Sequence, residues 1–355
     1  MAINVWENKL LQIIAGSTLI YFIWMDVAFY HKIQAITLTT GNVTLHPQDE
    51  NSFSPMAKVA MKTLLLDHLN HYIYLPLAVI FNKVTNFSET FYFITPNMIS
   101  GSHVILSLFA IRFFGSSRLS LRQVGFMLFQ VRFFLDALDG TVARARAHHS
   151  ISYLDMNSSG FILDGVCDAI GSAAFYFGAF IFLCSNSAPS LMRLKNRDGQ
   201  VLIPLINTLK SGDRSSSVDL TSNITNSNVL HVRNVVIVLI CSGLQMLFGS
   251  IFWNQTLGDY HSLLETEVPT HEQKVLQLEI FKSSSLWIIA WFWKVFNPQA
   301  MLEVILISVF MDKLWEFLRW TQYTGFVVLI VLATVTNAHI HYARGLIMSA
   351  ERVEA

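Results

Sequence analysis

The sequence predicts an all-α protein that crosses a membrane several times. Of its 355 residues, 53% are hydrophobic and only 14% are charged, whereas a soluble domain carries about 25% charged residues. The mean hydropathy is +0.46, and apolar runs of about 20 residues, the length that spans a bilayer, recur along the chain. The formal net charge is zero, so we expect no nucleic-acid partner.

Seven apolar stretches are predicted to span the membrane. Residues 10–29 form an N-terminal helix that we expect to be retained as an anchor. The six later stretches form the predicted core, at residues 98–114, 121–138, 161–184, 235–253, 286–310 with a break at Asn297-Pro298, and 325–348. Asp26 lies near the end of the first span, where we expect it at the membrane interface.

A shorter apolar stretch, residues 72–81, is interrupted by Pro76 and is predicted to lie on the surface or to re-enter the membrane. We therefore divide the chain into two regions. Residues 1–94 contain the N-terminal helix, a lumenal loop and this surface segment. Residues 95–355 form the transmembrane core.

Four acidic residues interrupt two consecutive spans at helical spacing. Asp136 and Asp139 share a face of one predicted helix, and Asp164 and Asp168 share a face of the next. If the two helices are antiparallel neighbours, the four carboxylates converge near one membrane face. Clustered carboxylates are costly there unless divalent cations neutralise them. All-oxygen ligation suits Mg²⁺ or Mn²⁺, and a pair of such ions can clamp a pyrophosphate during displacement.

Small and basic residues accompany these acids at regular offsets. Gly140 and Gly160 lack side chains and would let a nucleotide approach the helices closely. Arg144 supplies a planar donor for phosphate oxygens. A metal cation transporter is an alternative use of acids in a membrane, but it gives no role to Gly140 or Arg144.

The pattern resembles the signature of the CDP-alcohol phosphotransferases. Residues 136–144 read Asp-x2-Asp-Gly-x2-Ala-Arg, and residues 160–168 read Gly-x3-Asp-x3-Asp. Residues 95–100, Thr-Pro-Asn-Met-Ile-Ser, resemble the opening of that family's first core helix. The spacer between the two halves, residues 145–159, is longer than is usual in the family.

This resemblance implies a CDP-linked alcohol as donor, a lipid hydroxyl as acceptor and a homodimer. It implies that Asp136, Asp139 and Asp164 bind metal, and that Asp168 both touches metal and acts as the general base. It also implies a set of residues lining the cytidine diphosphate site: Gly140, Ala143, Arg144 and Gly160. Asn97, at the start of the first core helix, is a further candidate for contact with the donor.

The orientation of the core decides which branch of the family the chain resembles. The additional N-terminal helix would invert the core, so that the site faces the lumen instead of the cytoplasm. Basic residues in the loops opposite the motif agree with this orientation. Glycosylation sequons at Asn42 and Asn86 agree as well, whereas a sequon at Asn223 does not.

A lumenal site is typical of the branch that transfers phosphoethanolamine from CDP-ethanolamine to ceramide and releases CMP. That branch resides in the Golgi membrane and is associated with manganese, with magnesium as the alternative ion. The alternatives within the same chemistry are ethanolamine or choline phosphotransferases that act on diacylglycerol, and phosphatidyl-alcohol synthases. Those enzymes face the cytoplasm.

Overall fold

The computed structural model describes residues 8–36, 59–146, 159–185 and 214–354, so that Asn42 and most of the spacer lie outside the described residues. The described residues form helices and no strand. In chain order the helices are α1 (Lys9–Gln34), α2 (Met61–Leu65), α3 (Leu75–Thr85, entered through a π-helical turn at Asn70–Tyr74), α4 (Phe87–Thr90), α5 (Pro96–Phe114), α6 (Leu119–Arg146), α7 (Ser159–Ser185), α8 (Arg214–Leu264), α9 (His271–Lys282), α10 (Ser284–Phe296), α11 (Pro298–Phe310) and α12 (Leu314–Glu354).

Five of these helices, α1, α5, α7, α8 and α12, are long and apolar enough to cross a membrane. Helices α10 and α11 have 13 residues each and divide the predicted span 286–310 between them. The predicted break is confirmed at Asn297, whose side chain accepts a hydrogen bond from the Ala300 amide at 2.8 Å and so caps α11. The prediction of an all-α, multi-pass membrane protein is confirmed, and the division at residue 94 stays a prediction.

The site is built on three helices, with α5 packed along both α6 and α7. Helix α5 begins sharply because Thr95 caps it, accepting a hydrogen bond from the Met98 amide at 3.3 Å, and because Pro96 occupies its first turn. Gly178 of α7 permits close approach to α5, since a Cβ there would lie 2.8 Å from the Cβ of Phe114. Helices α6 and α7 are antiparallel, and they meet through side chains such as those of Arg132 and Asp168.

The end of α6 also holds the turn that precedes α5. The guanidinium of Arg146 donates hydrogen bonds to the carbonyl oxygens of Ser88 at 3.0 Å, Phe91 at 3.0 Å and Ile94 at 2.6 Å. Asn86, at the start of this turn, is exposed and has a left-handed backbone with φ 52°, which asparagine tolerates better than most residues. Asn86 therefore lies at the same end of the helix bundle as the C-terminus of α6.

Asp26 of α1 is buried among polar side chains that the sequence did not predict as its partners. Its side chain contacts His68 Nε2 at 2.8 Å and accepts hydrogen bonds from the Tyr72 hydroxyl at 2.7 Å, Trp291 Nε1 at 3.0 Å and Lys294 Nζ at 3.0 Å. These partners come from the segment before α3 and from α10, so their proximity depends on tertiary packing. The contacts attach α1 to the rest of the bundle through a buried ion pair.

Candidate active site

Three of the four predicted acids meet a histidine at the end of the α5–α6–α7 unit. Asp136 and Asp139 come from α6, Asp164 from α7 and His103 from α5. One potential ligand atom from each of these four residues lies within 4.8 Å of the others. They converge because α5 lies between the other two helices and presents His103 toward both of them.

Ser100 links the start of α5 to this group. Its hydroxyl donates a hydrogen bond of 2.6 Å to Asp139 Oδ2, and both residues are buried. Ser100 is the last residue of the Thr-Pro-Asn-Met-Ile-Ser string. The structure therefore gives this string a second use, because it starts the helix and also orients one of the acids.

Several polar atoms of the group have no hydrogen-bond partner among the described residues. They are Oδ1 of Asp136, Oδ1 of Asp164 and both ring nitrogens of His103. Leaving a buried polar atom unpaired costs about 1–3 kcal/mol. A divalent cation would bind the two carboxylate oxygens and one ring nitrogen of His103, since bonds of about 2.1 Å separate opposite ligands of one ion by about 4.2 Å. The donor atoms therefore fit a bound divalent cation.

Asp168 lies beside this group but is not one of its four close donors. Its Oδ1 accepts a hydrogen bond of 2.5 Å from Arg132 Nη2 of α6. The Arg132 side chain is 2% exposed, whereas that of Asp168 is 43% exposed. The buried guanidinium thus binds the carboxylate of Asp168 from the protein interior. The opposite side of the carboxylate stays open to an approaching hydroxyl.

Gly171 makes room for Arg132. A Cβ at Gly171 would lie 2.7 Å from Nε and 2.8 Å from Nη2 of that side chain, closer than real Cβ contacts allow. Gly171 follows Asp168 by three residues, so both face the same side of α7. Gly171 lies outside the signature, and its role is visible only when α6 and α7 are placed together.

The residues predicted to line the nucleotide site lie at the same end of the bundle, at the surface. Arg144 and Gly160 are exposed, Ala143 is half-buried, and Asn97 is exposed in the first turn of α5. A Cβ at Gly140 would lie 3.2 Å from Nη1 of Arg144. None of these residues is among the four close donors of the acidic group, and their role in binding a nucleotide stays a prediction.

Sequence reasoning missed His103, Arg132 and Lys62. Partial burial and the charge of Arg144 lower the pKa of the Lys62 ammonium on α2, while Asp164 and Asp136 act in the opposite direction. Lys62, a residue of the N-terminal region, is therefore close enough to the site to interact electrostatically with its charged residues. A signal for His103 was present, because Ser100, His103 and Ser107 form a polar stripe at helical spacing on an apolar helix.

Comparison with known proteins agrees with this geometry. The family model described as ceramide phosphoethanolamine synthase matches residues 6–350. A curated ceramide phosphoethanolamine synthase from Drosophila melanogaster is 36% identical over 297 residues, which cover 84% of this chain and 71% of the relative. No solved structure matches the chain. The chain belongs to the ceramide phosphoethanolamine synthase family.

Proposed function

We propose that this protein transfers phosphoethanolamine from CDP-ethanolamine to the primary hydroxyl of ceramide and releases CMP. The observation that supports this most directly is the division of the acids into two groups. Asp136, Asp139 and Asp164 form a group that could hold a cation, in which Asp136 and Asp164 each have an unpaired oxygen, and Asp168 is partly exposed beside it. Family membership favours this function over diacylglycerol-directed enzymes and over a cation transporter.

The reaction forms one bond to phosphorus and breaks another. The ceramide hydroxyl oxygen bonds to the phosphorus that carries ethanolamine, and the bond from that phosphorus to the CMP oxygen breaks. Asp168 accepts the hydroxyl proton, which a carboxylate within hydrogen-bond reach can do. Its open side supports this assignment, since the acceptor must approach from the lipid or the water and cannot pass through Arg132.

The remaining residues bind and orient the donor. Asp136, Asp139 and Asp164 would hold Mn²⁺ or Mg²⁺, and a pair of such ions, when bound, neutralises the diphosphate and the departing CMP. Arg144 would bind phosphate oxygens through its guanidinium. Gly140, Ala143 and Gly160 would let the cytidine diphosphate lie close to the helices, and Asn97 would contact the donor from α5.

The proposal includes a Golgi membrane location, a lumenal site and a homodimer. The glycosylation sequon at Asn86 supports the lumenal orientation. This asparagine is exposed and lies on the turn that Arg146 holds against the end of α6. A glycan on Asn86 would thus report directly on the side of the membrane that the acids face.

Turnover of the purified full-length protein tests the function. Labelled ceramide and labelled diacylglycerol are each incubated with CDP-ethanolamine and with CDP-choline in the presence of Mn²⁺. We expect product, with one CMP released per product, only from ceramide and CDP-ethanolamine. A diacylglycerol product formed at a comparable rate would refute the assigned acceptor.

Two variants test the assigned base. Asp168→Asn should lose turnover while the protein keeps its thermal unfolding profile, because the amide cannot accept the proton. Glu316→Gln is the matched control, since this exposed acid lies at the opposite end of the bundle, paired with Lys313 at 3.6 Å. Full activity of Asp168→Asn would remove Asp168 as the base.

A further inference from the structure

His103 is a fully buried side chain that packing alone does not explain. Its exposed fraction is 0%, and neither ring nitrogen has a hydrogen-bond partner among the described residues. A neutral imidazole has one N–H donor and one acceptor nitrogen. Burying both without partners opposes folding by several kcal/mol. An apolar residue would fill the same space without that cost, so the ring must gain something from a group that binds there.

The surroundings of the ring indicate what that group is. His103 Nε2 lies 3.9 Å from Asp136 Oδ1, which is too long for a hydrogen bond. Two ligands of one ion with bonds of about 2.1 Å lie about 3.0 Å apart when adjacent and about 4.2 Å apart when opposite. The 3.9 Å separation falls within this interval. Asp139 and Asp164 bring their oxygens within 4.8 Å of the same atoms.

We infer that His103 is a direct nitrogen ligand of the divalent cation held by Asp136, Asp139 and Asp164, and that it makes the site prefer Mn²⁺ over Mg²⁺. Mg²⁺ binds oxygen almost exclusively and gives up its water reluctantly. Mn²⁺ is a transition-metal ion that accepts an imidazole nitrogen beside oxygen ligands more readily than Mg²⁺ does, so a nitrogen ligand adds more to Mn²⁺ affinity than to Mg²⁺ affinity. The inference deepens the proposed function and rests on it for the role of the ion.

Pulsed electron paramagnetic resonance of bound Mn²⁺ tests this ligand without any turnover. The full-length protein in detergent is stripped of metal with EDTA and loaded with Mn²⁺ in the absence of nucleotide and lipid. We expect electron–nuclear coupling to nitrogen in the unaltered protein, and a change in that coupling when its histidines carry ¹⁵N. Absence of nitrogen coupling would overturn the inference, and this result does not depend on whether any variant folds.

Variants then identify the histidine. His103→Asn should abolish the nitrogen coupling and raise the Kd for Mn²⁺ by about 10-fold or more, the scale expected when metal sites lose a supporting group. The Kd for Mg²⁺, measured by competition, should change much less. A His148→Asn/His149→Asn double variant is the matched control for the histidines of the neighbouring spacer, and it should keep the coupling.

Each result separates the ligand from the proposed reaction. Coupling that persists in His103→Asn, or that disappears in the spacer double variant, would assign the nitrogen to another histidine and overturn the inference. An equal loss of Mn²⁺ and Mg²⁺ affinity would overturn the preference. Nitrogen coupling in a protein that does not act on ceramide would refute the reaction and leave the ligand in place. Turnover of ceramide by a protein that shows no nitrogen coupling would refute the ligand and leave the reaction in place.

Discussion

Replacing Gly171 with alanine should disable the site through Arg132, a residue on a different helix. The new Cβ would lie 2.7 Å from Nε, 2.8 Å from Nη2 and 3.0 Å from Cζ of Arg132. Non-bonded atoms of this kind are normally at least about 3.5 Å apart. The guanidinium must therefore retreat from α7 by roughly 0.7 Å. Arg132 is itself buried, so it cannot swing into solvent to relieve the clash.

The retreat acts on the hydrogen bond to Asp168. A displacement of this size lengthens the 2.5 Å contact between Nη2 and Oδ1 to about 3.2 Å, the upper end of the usual range and longer than a typical hydrogen bond between charged groups. Hydrogen bonds to charged groups contribute about 1.5–3 kcal/mol. Each 1.4 kcal/mol of lost transition-state stabilisation lowers the rate about tenfold. We therefore expect kcat to fall by about 10- to 100-fold, with little change in the KM for CDP-ethanolamine.

The assay is the initial rate of ceramide phosphorylethanolamine formation by purified protein, with thermal unfolding measured in parallel. Gly243→Ala is the matched control, because nothing lies within 4 Å of a Cβ at that position of α8 and both changes gain the same helix propensity. In an Arg132→Ala background, Gly171→Ala should have no further effect on kcat. Unchanged kcat in Gly171→Ala, or an additional loss in that background, would refute the argument.

Three further outcomes follow from the described contacts. Asp26→Leu should lower the free energy of unfolding by about 3–5 kcal/mol, because it leaves the ammonium of Lys294 buried and unpaired; a thermal midpoint equal to that of the unaltered protein would contradict this. Ser100→Ala should weaken Mn²⁺ binding by about tenfold through the lost hydrogen bond to Asp139, and titration with Mn²⁺ measures it. Asn86→Gln should remove a glycan detectable by gel shift after expression in animal cells; an unmodified Asn86 in the unaltered protein would argue against the lumenal site.

Much of the architecture was predictable because it depends on local properties of the chain. Apolar runs of membrane-spanning length predicted the long helices, and Asn297-Pro298 predicted where the span at 286–310 breaks. The partners of Asp26 were not predictable, because an acid near the end of a span looks isolated until the packing of the helices is known. Those partners, including His68 and Lys294, are far away in the chain, and only packing brings them to one carboxylate.

In the candidate site, too, some features were predictable from local sequence and others depend on packing between helices. Helical periodicity by itself placed Asp136 with Asp139 and Asp164 with Asp168, because spacing along a helix determines which side chains share a face. The tertiary structure decided that α5 lies between the two acidic helices, so that His103 joins three of the acids. It also decided that Arg132 binds the fourth acid, Asp168, and that the missing side chain of Gly171 leaves room for Arg132. These contacts join side chains on different helices, and no pattern within one helix specifies which neighbour it will meet.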